Sequence, residues 1–185
     1  VSETKPAGWG EADRLNDEYV AEYLQEHRQA TAPSGTIEYV VGLLFSEDRE
    51  SVALVHKNRP EWQAGKWNGV GGKVELGERV EEAMRREFLE EAGVSLPSRE
   101  WLVRWRQFAT ISGSEKTPGE VTFQVHYFLC FSDAILNLET CTDEPVGLWP
   151  VDGLPETVTN LRWLVQMALS MEKERAWRFE IQEVV

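Results

Sequence analysis

The sequence predicts an α+β fold in which helices pack on a mixed β-sheet. Two observations carry that prediction. Apolar, β-branched runs stand before, between and after two stretches of helical periodicity. A glycine-dense segment, with Gly65, Gly69, Gly71, Gly72 and Gly77, interrupts the pattern just before the first of those helices.

Residues 1–10 carry Pro6, Gly8 and Gly10 and are read as a loosely ordered start. Over 11–30, Leu15, Tyr19, Tyr23 and Leu24 recur at helical spacing, so an amphipathic helix is expected there. Thr31-Ala32-Pro33-Ser34-Gly35 ends it. The division follows: an N-terminal extension over 1–35 with one amphipathic helix, and the main domain over 36–185. The helix is read as an appendage packed on that domain, with a dimer contact as the alternative. Ile37–Phe45 and Val52–His56 are strand-like runs joined by the polar turn 46–50, a hairpin signal. Residues 79–92 form the first helix of the domain, closed by Gly93 in the C-cap position. Trp101–Ile111 and Val121–Phe131 read as two long strands with the loop 112–120 between them. A second helix is expected over 156–173 and a final strand over Trp177–Val184. Internal repeats and low-complexity tracts are absent.

The chain has 185 residues, enough for one domain with a real core, and 42% of them are apolar, which excludes wholesale disorder. Its formal net charge of −13, with no basic run longer than a pair, argues against binding to nucleic-acid polymers or acidic membranes. No apolar stretch approaches the roughly 18 residues of a membrane span. Val1-Ser2-Glu3-Thr4-Lys5 does not read as a secretory leader. Cys130 lies in the apolar run Phe128–Phe131 and Cys141 in a polar stretch; their spacing suits neither a metal site nor a redox pair. A disulfide stays open, with a reduced protein the plainer reading. The expectation is cytoplasmic. Of the eight tryptophans, some belong to the core and others could stack on a flat ligand.

The chemistry concentrates in residues 72–94. Glu87, Glu90 and Glu91 stand at i, i+3 and i+4 of one helix, which puts three carboxylates on one face. Unpaired, they repel; a hard divalent cation relieves the repulsion, and an all-oxygen set suits Mg2+ or Mn2+. A merely solvated acidic face would lie opposite the apolar stripe. At about 100° per residue, Val80, Met84 and Phe88 form that stripe, and Glu91 falls within its margin, with Glu87 beside it and Glu90 next. The carboxylates lean toward the protein body.

This segment resembles the Nudix box, G-x5-E-x7-R-E-U-x-E-E-x-G-U, where U is apolar. Gly72, Glu78, Arg86, Glu87, Glu90, Glu91 and Gly93 fill every fixed position, and Phe88 and Val94 the two apolar ones. A chance match of that kind is on the order of one in a million. The resemblance implies a Nudix-type α/β/α sandwich, a mixed sheet between helices, and hydrolysis of a nucleoside diphosphate linked to another group. It implies Glu87, Glu90 and Glu91 as metal ligands and the carbonyl of Gly71 as a backbone ligand. Arg86 would orient a carboxylate and Glu78 support the cluster. The proton-accepting carboxylate in this family is a box glutamate or one on a distant loop. Glu144, in Thr142-Asp143-Glu144-Pro145, resembles the late acidic ligand of the MutT-type group; the alternative is a solvated loop acid.

Trp67-Asn68-Gly69-Val70-Gly71-Gly72-Lys73-Val74 resembles the corresponding segment of mammalian 8-oxo-dGTPases and related MutT-like enzymes. There an asparagine reads a purine edge, so Asn68 is the implied base reader, with an amide that both donates and accepts. Trp62 resembles a base-pocket aromatic of that group; the alternative is a loop aromatic over the sheet edge. Trp67 is read as core. Asn160 is either an N-cap or a second base reader. Phe108 is a third pocket candidate, and Lys73 joins the substrate-binding set. Where mammalian relatives carry paired aspartates and an extra tryptophan, this chain has Thr159 and Asn160 and no tryptophan at 157.

The sequence therefore predicts a Mg2+-dependent (Mn2+ as the alternative) pyrophosphohydrolase of nucleoside triphosphates, with oxidised purine nucleotides such as 8-oxo-dGTP as substrates. The partner is a small nucleotide, with no nucleic-acid polymer and no membrane, and a homodimer stays open by analogy with the family. The competing readings are an ADP-ribose or dinucleoside polyphosphate hydrolase and a non-catalytic nucleotide-binding regulator.

Overall fold

The computed structural model describes residues 36–112, 120–170 and 179–184, with side chains over 36–101 and 123–170. The helix expected over 11–30 and the loop 113–119 lie outside the described residues.

Seven strands and two helices are described. They are β1 (Ile37–Phe45), β2 (Ser51–His56), β3 (Trp67–Asn68), α1 (Val80–Ala92), β4 (Leu102–Ser112), β5 (Glu120–Phe131), β6 (Val146–Pro150), α2 (Leu161–Ser170) and β7 (Phe179–Val184). They form one mixed sheet in the order β3-β2-β1-β5-β4-β7, with β6 on the outer edge of β2. The β1–β5 and β4–β7 pairs are parallel. The others are antiparallel.

Alternation along the strands gives the sheet two apolar faces. Val40 and Leu44 of β1, Ala53 and Val55 of β2, and Phe128 and Cys130 of β5 pack with Ala83, Met84, Phe88 and Ala92 of α1. Leu43 and Phe45, Val52 and Leu54, and Tyr127 and Leu129 pack with Leu161, Leu164, Val165 and Ala168 of α2. The expected α/β/α layering is therefore present, one helix per face.

Two differences from expectation matter for the site. First, β1 and β2 share only the Phe45–Val52 pairing next to their turn and then part. Residues 67–74 lie between them, joined to β2 through Val55–Asn68 and His56–Trp67 and to β1 through Gly42–Val70 and Tyr39–Lys73. Second, the helix expected from residue 156 begins at Leu161. The preceding backbone is committed elsewhere: Trp67 donates to the Glu156 carbonyl at 2.9 Å, and Val158 donates back to Trp67 at 3.0 Å. β6 is an additional strand, with Gly147 and Pro150 breaking its apolar pattern. Both cysteines are free, Cys130 buried and Cys141 exposed. Among the described residues, no helix is long and apolar enough to cross a membrane.

Candidate active site

Helix α1 places the box carboxylates. Ala83, Met84, Phe88 and Ala92 are its buried residues, and Gly93 ends it in the left-handed conformation at φ 69°. Glu87 and Glu91 continue the row of Ala83 at intervals of four, so they lie along the edge of the buried face. Their side chains keep only 13% and 14% of their exposure, whereas Glu90 keeps 57%. The inward lean read from the periodicity holds for Glu87 and Glu91; Glu90 points to solvent.

The glycine-dense segment runs antiparallel to β1. Val40 N–H donates to the Gly72 carbonyl at 2.9 Å and Gly42 N–H to the Val70 carbonyl at 2.7 Å. By strand alternation, the N–H and carbonyl of Gly71 turn away from β1. The N–H there meets Glu91 Oε2 at 3.2 Å. Gly71 has no room for a side chain against backbone, and a side chain at Gly72 would displace the Glu87 carboxylate. A Cβ at Gly71 would collide with the Val40 carbonyl, and one at Gly72 would come within 2.5 Å of Glu87 Oε2.

Two cations hold the carboxylates. Arg86 grips Glu78 through two bonds, Nε to Oε1 at 2.9 Å and Nη2 to Oε2 at 2.8 Å. The same guanidinium reaches Glu87 Oε1 at 2.7 Å, Glu90 Oε2 at 3.2 Å and the Lys73 carbonyl at 3.1 Å. Arg86 thus ties the loop before the helix to the helix face. The second cation, Lys57, is a residue the sequence reading missed. Its ammonium is bonded to Glu144 Oε2 and stands 3.9 Å from Glu91 Oε1.

Glu144 is buried, at 4% exposure, and is not a solvated loop acid. The antiparallel β2–β6 register puts it there. Val55 pairs with Val146, and His56 N–H donates to the Pro145 carbonyl at 2.8 Å. One further step brings Lys57 opposite Glu144. Glu144 Oε1 also accepts from the backbone N–H groups of Asn58 at 2.6 Å and Arg59 at 3.3 Å. The same late segment is tied to the end of α1, because Cys141 N–H donates to the Glu91 carbonyl at 3.1 Å.

Burial and these partners set the proton affinities. Burial pushes Glu91 up to about 7 against the opposing Lys57 ammonium and Gly71 N–H, with Glu87 and Glu144 adding to the rise. Burial also raises Glu87, opposed by Arg86. At Glu144 burial acts upward too, but the bonds from Lys57, Asn58 and Arg59 win and hold it below its ordinary value. Arg86 lowers Glu78.

Among the described residues, no three His, Cys, Asp or Glu side chains already form an ion cage. Arg86 and Lys57 stand among the carboxylates instead. The donors present, carboxylates and one carbonyl at a close backbone approach, nonetheless have the all-oxygen chemistry of a hard divalent ion.

The substrate-side candidates fall on neighbouring segments. Asn68 Oδ1 accepts from Gly69 N–H at 2.8 Å, and its Nδ2 donates to Gln63 Oε1 at 3.0 Å. Trp67 is core, between His56 at 5.1 Å and Trp149 at 5.0 Å, as expected. Its two backbone bonds to 156–158 bring the Asn160 segment alongside Asn68. Asn160 stands at the start of α2, where its carbonyl accepts from Leu164 N–H at 3.1 Å, and its Nδ2 donates to the Tyr127 hydroxyl at 2.9 Å. Trp62 is 66% exposed on the turn after Pro60. The side chain of Lys73 is exposed. Phe108 lies in β4 opposite Gln124, with its side chain outside the described residues. Gln63 and Tyr127 had no signal in the sequence; only the fold pairs them with the asparagines.

Known proteins bear on this arrangement in three ways. The oxidized purine nucleoside triphosphate hydrolase of Danio rerio is 64% identical over 33 residues, 18% of this chain and 21% of that protein. The protein of the same name from Mus musculus is 58% identical over 58 residues, 31% of this chain and 35% of that one. The matches thus span only a fifth to a third of those relatives. In fold, the chain is similar to the MutT protein of Bacillus halodurans, with a TM-score of 0.57 at 18% identity, covering 80% of this chain and 90% of that one. The NUDIX domain model matches residues 36–178, the span that holds both helices, the two cationic clusters and all seven fixed box positions, and so this chain belongs to the Nudix family.

Proposed function

We propose that the protein is a pyrophosphohydrolase that cleaves nucleoside triphosphates to the monophosphate and pyrophosphate, with oxidised purine nucleotides such as 8-oxo-dGTP as its substrates. The observation that carries this reading is the meeting of Glu91 with Glu144 around Lys57. An 87-residue sequence separation between Lys57 and Glu144 is closed to a direct ion pair beside the helix carboxylates. The short, high-identity matches to oxidized purine nucleoside triphosphate hydrolases support the substrate class.

The residues fit a divalent ion, Mg2+ or Mn2+, held by Glu87, Glu90, Glu91, Glu144 and the Gly71 carbonyl. Bound there, such an ion neutralises charge on the pyrophosphate oxygens and acidifies water. The remaining work falls to side chains of this chain. Arg86 fixes Glu87 by its Nη1 bond while anchoring itself on Glu78. Lys57 holds Glu144 in its ionised form and stands between it and Glu91. A carboxylate of this cluster takes the proton of the attacking water. Asn68 reads the base, and Trp62 offers an exposed ring to stack on it.

The test is a chromatographic screen of the nucleotide products, with pyrophosphate measured alongside, in Mg2+ over ordinary and oxidised nucleoside triphosphates, ADP-ribose and dinucleoside polyphosphates. The proposal expects pyrophosphate release to be fastest from an oxidised purine triphosphate. ADP-ribose as the preferred substrate overturns the substrate class, and turnover of none of them overturns the reading as a hydrolase.

A further inference from the structure

Gln63 stands in the loop between β2 and β3, one residue after the exposed Trp62. Its side-chain carbonyl accepts the Asn68 amide at 3.0 Å. The direction of that bond is fixed. Gly69 N–H donates at 2.8 Å to the other end of the Asn68 side chain, which must therefore be its oxygen, so the end facing Gln63 is the NH2. Asn68 is thus held at both ends and presents its remaining N–H and lone pair in one orientation.

The loop itself does not need this bond. Lys57 N–H donates to the Lys66 carbonyl at 2.9 Å, and Gly65 N–H donates to the Lys57 carbonyl at 2.9 Å, which closes the loop at its base. Backbone bonds from Gln63 and Ala64 to Pro60 and from Lys66 to Gln63 fold its tip. The Gln63 side chain is spare for loop closure and is spent on Asn68.

We propose that Gln63 is a positioning residue for base recognition: with Gly69 N–H setting which end of Asn68 is the oxygen, Gln63 holds the NH2 end and so the plane of the amide, and this sets the preference for purine over pyrimidine nucleotides. This rests on the reading of Asn68 as the base reader. An amide held at its oxygen alone can swing its donor out of line with a base edge and discriminates poorly; one held at both ends presents donor and acceptor in one plane.

The test is binding of nucleoside monophosphates (8-oxo-dGMP, dGMP, dCMP and dTMP), which needs no cleavage, to the full chain and to Gln63→Ala and Gln63→Glu. Glutamate keeps the acceptor for Asn68, and any repulsion it adds toward phosphate falls on all four probes alike. The wild type is expected to favour the purines. Gln63→Ala should lose about fivefold of that preference, the scale of one neutral hydrogen bond, with an unchanged melting temperature. Gln63→Glu should restore it to within about twofold of the wild-type ratio. The Asn68 side-chain amide signals in NMR spectra of the ligand-free protein should shift in Gln63→Ala and keep their positions in Gln63→Glu. An unchanged preference in Gln63→Ala, an equal loss in Gln63→Glu, or no purine preference in the wild type overturns the inference. A wild type that prefers purine monophosphates yet cleaves no triphosphate overturns the hydrolase reading and leaves this one standing.

Discussion

Two cations organise the acidic face of this molecule, and they do so differently. Arg86 gathers Glu78, Glu87 and Glu90, all within eight residues of it along the chain. Lys57 joins Glu91 to Glu144, two groups that only the sheet register brings together. The first cluster is local, built from a helix and the loop that precedes it. The second is a product of tertiary structure, because β6 pairs with β2 and carries Glu144 beside the end of α1. The Arg86 cluster orients the helix carboxylates; the Lys57 cluster holds Glu144, the most deeply buried of these carboxylates, beside Glu91.

Substitutions break this contrast in a definite order. Glu91→Gln removes the carboxylate shared between α1 and the Lys57 cluster, and turnover should fall about 10³-fold with the fold intact, as read by pyrophosphate release and circular dichroism. Arg86→Ala removes the cation that orients the helix carboxylates. Activity should fall about 10- to 100-fold, and the unpaired Glu78 and Glu87 should cost about 2 kcal/mol in a denaturant titration, after discounting for partial exposure. Lys57→Met leaves Glu91 and Glu144 facing each other without a counter-ion. Turnover should fall about tenfold, while Glu144, no longer held down by the ammonium, should titrate at a higher pH by NMR.

A dependence on pH sharpens the comparison through its sign. In chelator, Glu91 binds its proton more tightly folded, at about 7, than at its ordinary value of 4.5. Between those values the folded state carries more protons than the unfolded one, so stability falls as pH rises, by about 3 kcal/mol at most from this group. Glu78, depressed by Arg86, acts oppositely. Its contribution is present above its unfolded value and is lost as pH falls through its lower folded value. Urea unfolding at pH 5 and pH 7.5 should show the loss in the wild type, and Glu91→Gln should flatten it. A wild-type slope that survives in Glu91→Gln places the titrating group elsewhere.

The same division explains what the sequence makes legible. Helix α1, its Gly93 cap and the inward lean of Glu87 and Glu91 follow from spacing alone, because a helix fixes neighbours three and four apart. β1, β2 and β5 announce themselves by alternation. β6 does not. It has five residues, two of them Gly147 and Pro150, and it exists because β2 offers an open edge. Lys57 is one lysine among several with no pattern around it, and its importance comes only from the register that sets it against Glu144. The early residues of the expected second helix read as helical, but Glu156 and Val158 give their backbone groups to Trp67 instead, a tertiary demand that overrides local preference.

The central claim is that Glu144 and the helix carboxylates form one ion-binding centre. Mn2+ binding followed by electron paramagnetic resonance tests it most directly, on the wild type, Glu91→Gln, Glu144→Gln and the double variant. The account predicts a bound ion in the wild type, at least about tenfold weaker binding in each single variant, and coupling between the two losses in the double variant. Full wild-type affinity in Glu144→Gln, with loss only in Glu91→Gln, would contradict it.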